Sequence, residues 1–274
     1  MSDTVQKNSA DEMSFLDHLE VLRWHLVRGF SAIFIFAAVA FIYKQIVFDL
    51  VLLAPKEPDF PTYVFFCKLA QMLHLSDDLC FGDFHLNLIN IDMSGQFTMH
   101  IMVSLASGLV LAFPYILWEV WRFIKPALHN KEKRHARGLV FYGSVLFMLG
   151  ILFGYYVITP LSVNFLGNYQ VSETVQNQIT LTSFISTVVM ITLSSGVVFE
   201  MPILVYFLTK IGLITPDFLR KYRRHAIVVN LALAAILTPP DVTSQILMAI
   251  PLMTLYQVSI WVSAAVHRKQ EAAS

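Results

Sequence analysis

Six stretches of this chain contain no lysine, arginine, aspartate or glutamate: residues 29–43, 93–118, 138–172, 174–199, 225–240 and 242–267. A helix rises about 1.5 Å per residue and the hydrocarbon core of a bilayer is about 30 Å thick, so roughly 20 apolar residues cross it. Several of the stretches reach that length, and none alternates residue by residue as the strands of a membrane barrel do. Of the 274 residues, 56% are hydrophobic and 14% charged, against about 25% charged in an ordinary soluble domain. A soluble globule of this size cannot hide so much apolar surface. The reading is an all-α integral membrane protein that uses lipid as part of its solvent.

Six spans are expected, at about 24–45, 96–121, 138–159, 181–209, 224–238 and 244–265, within a membrane domain of 13–266. A polar tail precedes it (1–12) and a short tail follows (267–274). The start, Met1 to Glu12, lacks the apolar core and small-residue cleavage site of a removed signal peptide. Sixteen of the nineteen cations fall on one side of this arrangement, in the N-terminal region, the basic segments 122–137 and 210–223 with Arg224, and the C-terminal tail. Only Lys44, Lys56 and Lys68 fall on the other. The positive-inside bias therefore places both termini in the cytoplasm and exports the long segment 46–95. That segment holds both cysteines, Cys67 and Cys80, and three turn signals, Pro55, Pro58 and Pro61. An oxidising compartment permits a disulfide, and two buried thiols remain an equal alternative.

Two spans look short. His225 to Thr238 is fourteen residues, about 21 Å of helix, and the last span is interrupted by Pro251, which removes a backbone donor. Before the first span, Ser14-Phe15-Leu16-Asp17 has the pattern of a capping box. Phe15, Leu19, Leu22 and Leu26 then form an apolar stripe, with Asp17, Glu20 and Trp24 on another face and Arg23 at its edge. Such a helix lies along the cytoplasmic interface and runs into the first span. On pattern alone it is a surface anchor without a ligand.

His18-Leu19-Glu20-Val21-Leu22-Arg23 resembles the His-Leu-x-Glu-Leu-Arg signature that opens TatC, the multi-span receptor component of the twin-arginine protein translocase. Further similarities follow in order. Phe113-Pro114-Tyr115-Ile116-Leu117 and Val120-Trp121-Arg122-Phe123-Ile124-Lys125-Pro126-Ala127-Leu128 resemble that family's first cytoplasmic loop and its approach. Gly196 to Pro202 resembles its fourth span, and Leu237 to Val242 with Gln245, Ile250 and Pro251 its last turn and helix. The resemblance implies a receptor for twin-arginine signal peptides in the bacterial inner membrane, working with single-span TatA/TatB-type subunits, other copies of itself and the proton gradient. It implies no cofactor, no metal and no nucleic acid.

Glu132 stands in a cytoplasmic run otherwise rich in cations, where an acid is ordinarily a solvated partner in weak surface pairs. By the resemblance, it helps receive the two arginines of the signal, a role suited to paired, charge-assisted hydrogen bonds between carboxylate and guanidinium. The same signal-peptide contacts extend to Lys133, Phe123 and Pro126 and, on the entry helix, to Arg23. The sequence departs from the family at Val21, where the usual second acid falls. Two readings stay open: Glu20 and Asp17 supply that carboxylate, or Glu132 does most of the work.

Glu200 reads as the only acid inside a span, and at that depth it should face protein or water rather than lipid, with Pro202 loosening the backbone beside it. The resemblance places partner-subunit contacts at Glu200, Pro202, Asp241, Gln245 and Pro55. Thr238 or Asp241 is also suited to cap the final helix, and Thr215 to cap the helix that Pro216 opens. No metalloprotease, nucleophile-elbow or zinc-spaced cysteine motif occurs, so the chain does not read as an enzyme. The competing reading is a proton-coupled small-molecule transporter with Glu200 as carrier.

Overall fold

The computed structural model describes residues 15–72, 86–124, 136–172, 174, 177–238 and 242–271. The first element, α1 (Phe15–Ile42), is one uninterrupted helix. The entry segment runs into the first span, as expected: nothing between Arg23 and Ile42 breaks the hydrogen-bond ladder. Ser14, the expected cap, lies outside the described residues.

The segment after α1 folds into a cap. A π-helical stretch (Ile46–Leu52) and a 3-10 turn (Ala54–Lys56) lead to α2 (Pro61–Met72), which opens on Pro61. Strand β1 (Leu88–Ile89) pairs in parallel with β2 (Ile179–Thr180), Leu88 opposite Ile179, and ties the cap to the connection before the fourth span. Tyr63 fastens the centre: its hydroxyl lies 3.0 Å from the carbonyl oxygen of Pro55 and 2.9 Å from that of Pro160. Burial pushes the Tyr63 phenol above its ordinary value of 10.0. A group favoured in its protonated form by folding contributes that stability below its unfolded pKa and loses it as pH rises through the folded value. The cap should thus loosen only in strong alkali. Tyr63→Phe removes the one donor that the two carbonyls share, a loss of about 1–3 kcal/mol. Amide exchange in 46–72 should rise in that variant at neutral pH.

Helix α3 (Gly95–Ile124) runs back and packs chiefly on α1. They approach closely at Gly108, where an added Cβ would sit 2.7 Å from both the Ala37 nitrogen and the Ile33 carbonyl oxygen. Small residues let membrane helices come this near. Gly108→Leu should separate the two helices and cost more than the 1–3 kcal/mol typical of an overpacked core, read as lost thermal stability in detergent.

The third span is longer than 138–159. Helix α4 (Ala136–Phe153), a π-helical turn (Gly154–Ile158) and α5 (Thr159–Asn168) form one continuous rod. Pro160 has no amide hydrogen and its ring crowds the carbonyl four residues back, that of Tyr156. The helix widens over Gly154–Ile158 instead of stopping, and the freed Tyr156 carbonyl accepts the Thr62 hydroxyl from α2. The fourth span divides into α6 (Leu181–Phe199) and α7 (Met201–Lys210), with the break at Glu200 just before Pro202. Thr215 caps α8 (Pro216–Lys221), accepting the Phe218 amide at 3.3 Å, as expected. Helix α9 (Arg223–Leu237) is fifteen residues long and ends at Thr238.

Thr238 stands at the end of α9, and Asp241, the other residue suited to cap the final helix, lies outside the described residues. The Thr238 hydroxyl turns back to the Ala234 carbonyl at 2.8 Å and closes α9. The last helix, α10 (Val242–Glu271), contains Pro251 without breaking and runs past residue 266, where the tail was expected. Gln270 reaches the Lys210 carbonyl at 2.9 Å, so the ends of α7 and α10 share one end of the bundle.

Five helical stretches are long and apolar enough to cross a membrane among the described residues: Leu19–Ile42, Gly95–Ile124, Gly138–Asn168, Leu181–Lys210 and Ser244–Arg268. Helix α9 occupies the place of the short fifth span. Large apolar side chains face outward, Phe34 63% and Ile35 64% exposed, a surface suited to acyl chains. Among the described residues the interior holds four apolar clusters, two of them large. One gathers Leu52, Met99, Val103, Phe184 and Val188 beneath the cap. The other gathers Ile158, Ile191, Ala234, Met248 and Leu252 around α9 and α10.

Candidate functional site

The first turns of α1 meet the last turns of α3 at the end of the bundle where both basic segments lie. On α1, Glu20, Arg23 and Trp24 are exposed. The backbone of Asp17 is helical, while its side chain and those of Phe15, Leu16 and His18 lie outside the described residues. On α3, Phe123 is half-buried and meets the His25 ring edge-on, centroids 6.1 Å apart. Arg122 lies over the Trp118 ring at 5.6 Å. The remaining residues expected to contact a signal, Pro126, Glu132 and Lys133, fall in 125–135, outside the described residues.

What joins the two helices is a pair the sequence reading missed. Nδ1 of His25 contacts Oε2 of Glu119. Glu119 is 2% exposed, and its second oxygen, Oε1, is buried without a hydrogen-bond partner. Glu200 is therefore not the only acid inside a span. Glu119 sits within the expected 96–121 span itself, and its place between Trp118 and Arg122 disguised it as part of the basic border. His25 carried a signal too: it falls three residues after Leu22 and one before Leu26, at the edge of the apolar stripe, where an imidazole meets a neighbouring helix.

Glu200 is buried, as its depth requires. Its Oε1 lacks a partner, and Oε2 lies 3.4 Å from where a Cβ on Gly143 would stand. Leu117 and Ile203 close the same spot. An apolar groove of about 380 Å³ opens between α3, α4 and α6, lined by Val103, Ser107, Leu111, Ile151, Tyr155 and Val188 among others. Glu200 does not line it. On α3 and α4 the stacked rings of Phe113 and Phe147, 3.5 Å apart, stand between the level of the groove and that of the acid.

Pro202 is buried in the first turn of α7. Gln245 reaches the Leu231 carbonyl at 3.5 Å and ties α10 to α9, while Asp241 lies outside the described residues. Pro55 is fully buried in the cap, its carbonyl accepting the Tyr63 hydroxyl at 3.0 Å. Cys67 is disulfide-bonded. The chain has one other cysteine, Cys80, outside the described residues.

Residues 17–251 match the family model of the Sec-independent protein translocase protein TatC. The chain belongs to the TatC family. It is 40% identical over 265 residues to TatC of Blattabacterium sp. subsp. Periplaneta americana (strain BPLAN), covering 96% of this chain and 100% of that relative. It is 34% identical over 260 residues to TatC of Aquifex aeolicus (strain VF5), covering 94% and 98%. The fold is similar to a crystal structure of the twin arginine translocase receptor TatC, with a TM-score of 0.70 and 34% identity over 91% of this chain and 99% of that one. As a TatC protein the chain is a membrane component of a protein translocase and not an enzyme, and the small-molecule transporter reading falls away.

Proposed function

We propose that this chain is the receptor of twin-arginine export. It crosses the bacterial inner membrane six times with both termini in the cytoplasm, α9 forming the short fifth crossing. It binds paired arginines of a signal peptide at the cytoplasmic rim, with Glu132 and the α1 acids Glu20 and Asp17 as carboxylates. Arg23, Phe123, Pro126 and Lys133 frame that rim. Single-span subunits of the TatA/TatB type then gather around Glu200, Pro202, Asp241 and Gln245 and, with further copies of the chain, pass folded cargo under the proton gradient. The fifteen-residue α9 is shorter than a bilayer and thins it locally, which lowers the barrier to moving a folded protein. In the exported cap, Cys67 pairs with Cys80.

The observation that carries the reading is the meeting of α1 and α3. It brings Glu20 and Arg23 to the same end as Phe123, from which the chain runs into the segment holding Glu132. The test is binding of a fluorescent twin-arginine signal peptide to the purified chain in bilayer discs. Replacing both arginines by lysine should weaken binding at least tenfold, because ammonium groups cannot make the two-pronged contact. Equal binding of the two peptides would refute the receptor assignment.

A further inference from the structure

On the outer side of the α1–α3 contact lies a groove of about 370 Å³. One wall is Leu22, Leu26, Phe30 and Ile33 of α1, residues three or four apart and so on one helix face. The other wall is α3 from Ile116 to Ile124. Gly29 leaves the middle open: a Cβ there would meet nothing within 4 Å. All of this lining is apolar save His25 and Glu119, and the buried Oε1 of Glu119 has no partner.

Resting on the receptor reading, we propose that this groove seats the apolar segment that follows the paired arginines of the export signal, with a hydrogen-bond donor of that segment set over Glu119. Three features choose this occupant. The groove begins at Leu22, next to Arg23 in the chain, and its other wall ends at Ile124, from which the chain runs on toward Glu132. The walls are apolar, which matches the segment. A lipid tail, by contrast, brings no donor, whereas a peptide hydroxyl or free amide satisfies the unpaired oxygen, whose burial without a partner is costly.

The test uses the full chain in discs of phosphatidylethanolamine and phosphatidylglycerol, and a twin-arginine signal peptide with a photoreactive residue in its apolar segment. Adducts are expected on 22–33 and 116–124. Gly29→Leu fills the groove from one side and Val120→Trp from the other. Each should remove those adducts and weaken binding at least tenfold, while Gly138→Leu, on an exposed face of α4, changes neither. Thermal unfolding confirms that each variant folds. Adducts elsewhere, adducts unchanged by both fillings, or a groove that crosslinks only to photoreactive lipid or to a single-span partner would overturn the proposal. If the dilysine peptide binds as well as the diarginine one, the receptor reading itself fails. If only the diarginine peptide binds and the groove stays empty, the receptor reading stands and this inference falls.

Discussion

Glu132→Lys is expected to remove measurable binding of a twin-arginine signal and to stop export of its cargo. A hydrogen bond to a charged group contributes about 1.5–3 kcal/mol, so losing one guanidinium contact weakens binding roughly tenfold to a hundredfold. Reversal of the charge adds repulsion to that loss. Glu132→Ala should show the first effect without the second. The companion exchange Glu20→Ala separates the two readings that Val21 leaves open. A loss as large as that of Glu132→Ala makes Glu20 the second carboxylate despite its position about 100° around the helix from the family site. A change of under twofold makes Glu132 the principal acid.

The second large effect concerns stability. His25→Ala leaves Glu119 buried with neither oxygen bonded to the imidazole, and removing one member of a buried pair costs about 3–5 kcal/mol. The α1–α3 contact should therefore weaken sharply, seen as a lower unfolding midpoint in a detergent titration. Glu119→Leu alone leaves a buried imidazole and costs less. The double exchange His25→Leu with Glu119→Leu replaces the pair by packed apolar groups, and such replacements are often neutral or better. Recovery in the double variant identifies coupling between the two groups. Equal destabilisation of the double and the single exchanges would mean that only side-chain volume matters.

Much of the architecture is legible in the sequence because its cause is local. Charge-free stretches mark the five long apolar helices. Glu200 with Pro202 marks the break between α6 and α7, and Thr215-Pro216 marks a helix start. What escapes is set by contacts between distant segments. The sequence places the third span at 138–159, yet the π-helical turn before Pro160 and the Thr62 hydroxyl, 94 residues from the Tyr156 carbonyl that it meets, carry the rod on to Asn168. Thr238 reads as a cap for the helix that follows, and the nearer carbonyl of Ala234 takes its hydroxyl. The β1–β2 pairing joins two residues from each of two loops that nothing in either loop announces. In the proposed rim, Glu132 and the α1 acids come from motif resemblance, which is carried by consecutive residues. The His25–Glu119 pair also lies 94 residues apart in sequence. It becomes visible only once α1 is laid against α3.

The most direct measurement is photocrosslinking from a residue placed beside the two arginines of a signal peptide to the full chain in inverted membrane vesicles, with the adducts located by mass spectrometry. Attachment within 15–25 of α1 and within 122–135, lost when Glu132 becomes lysine, is the predicted outcome. Attachment at the cap or on α9 and α10 instead, or attachment indifferent to that exchange, would contradict it.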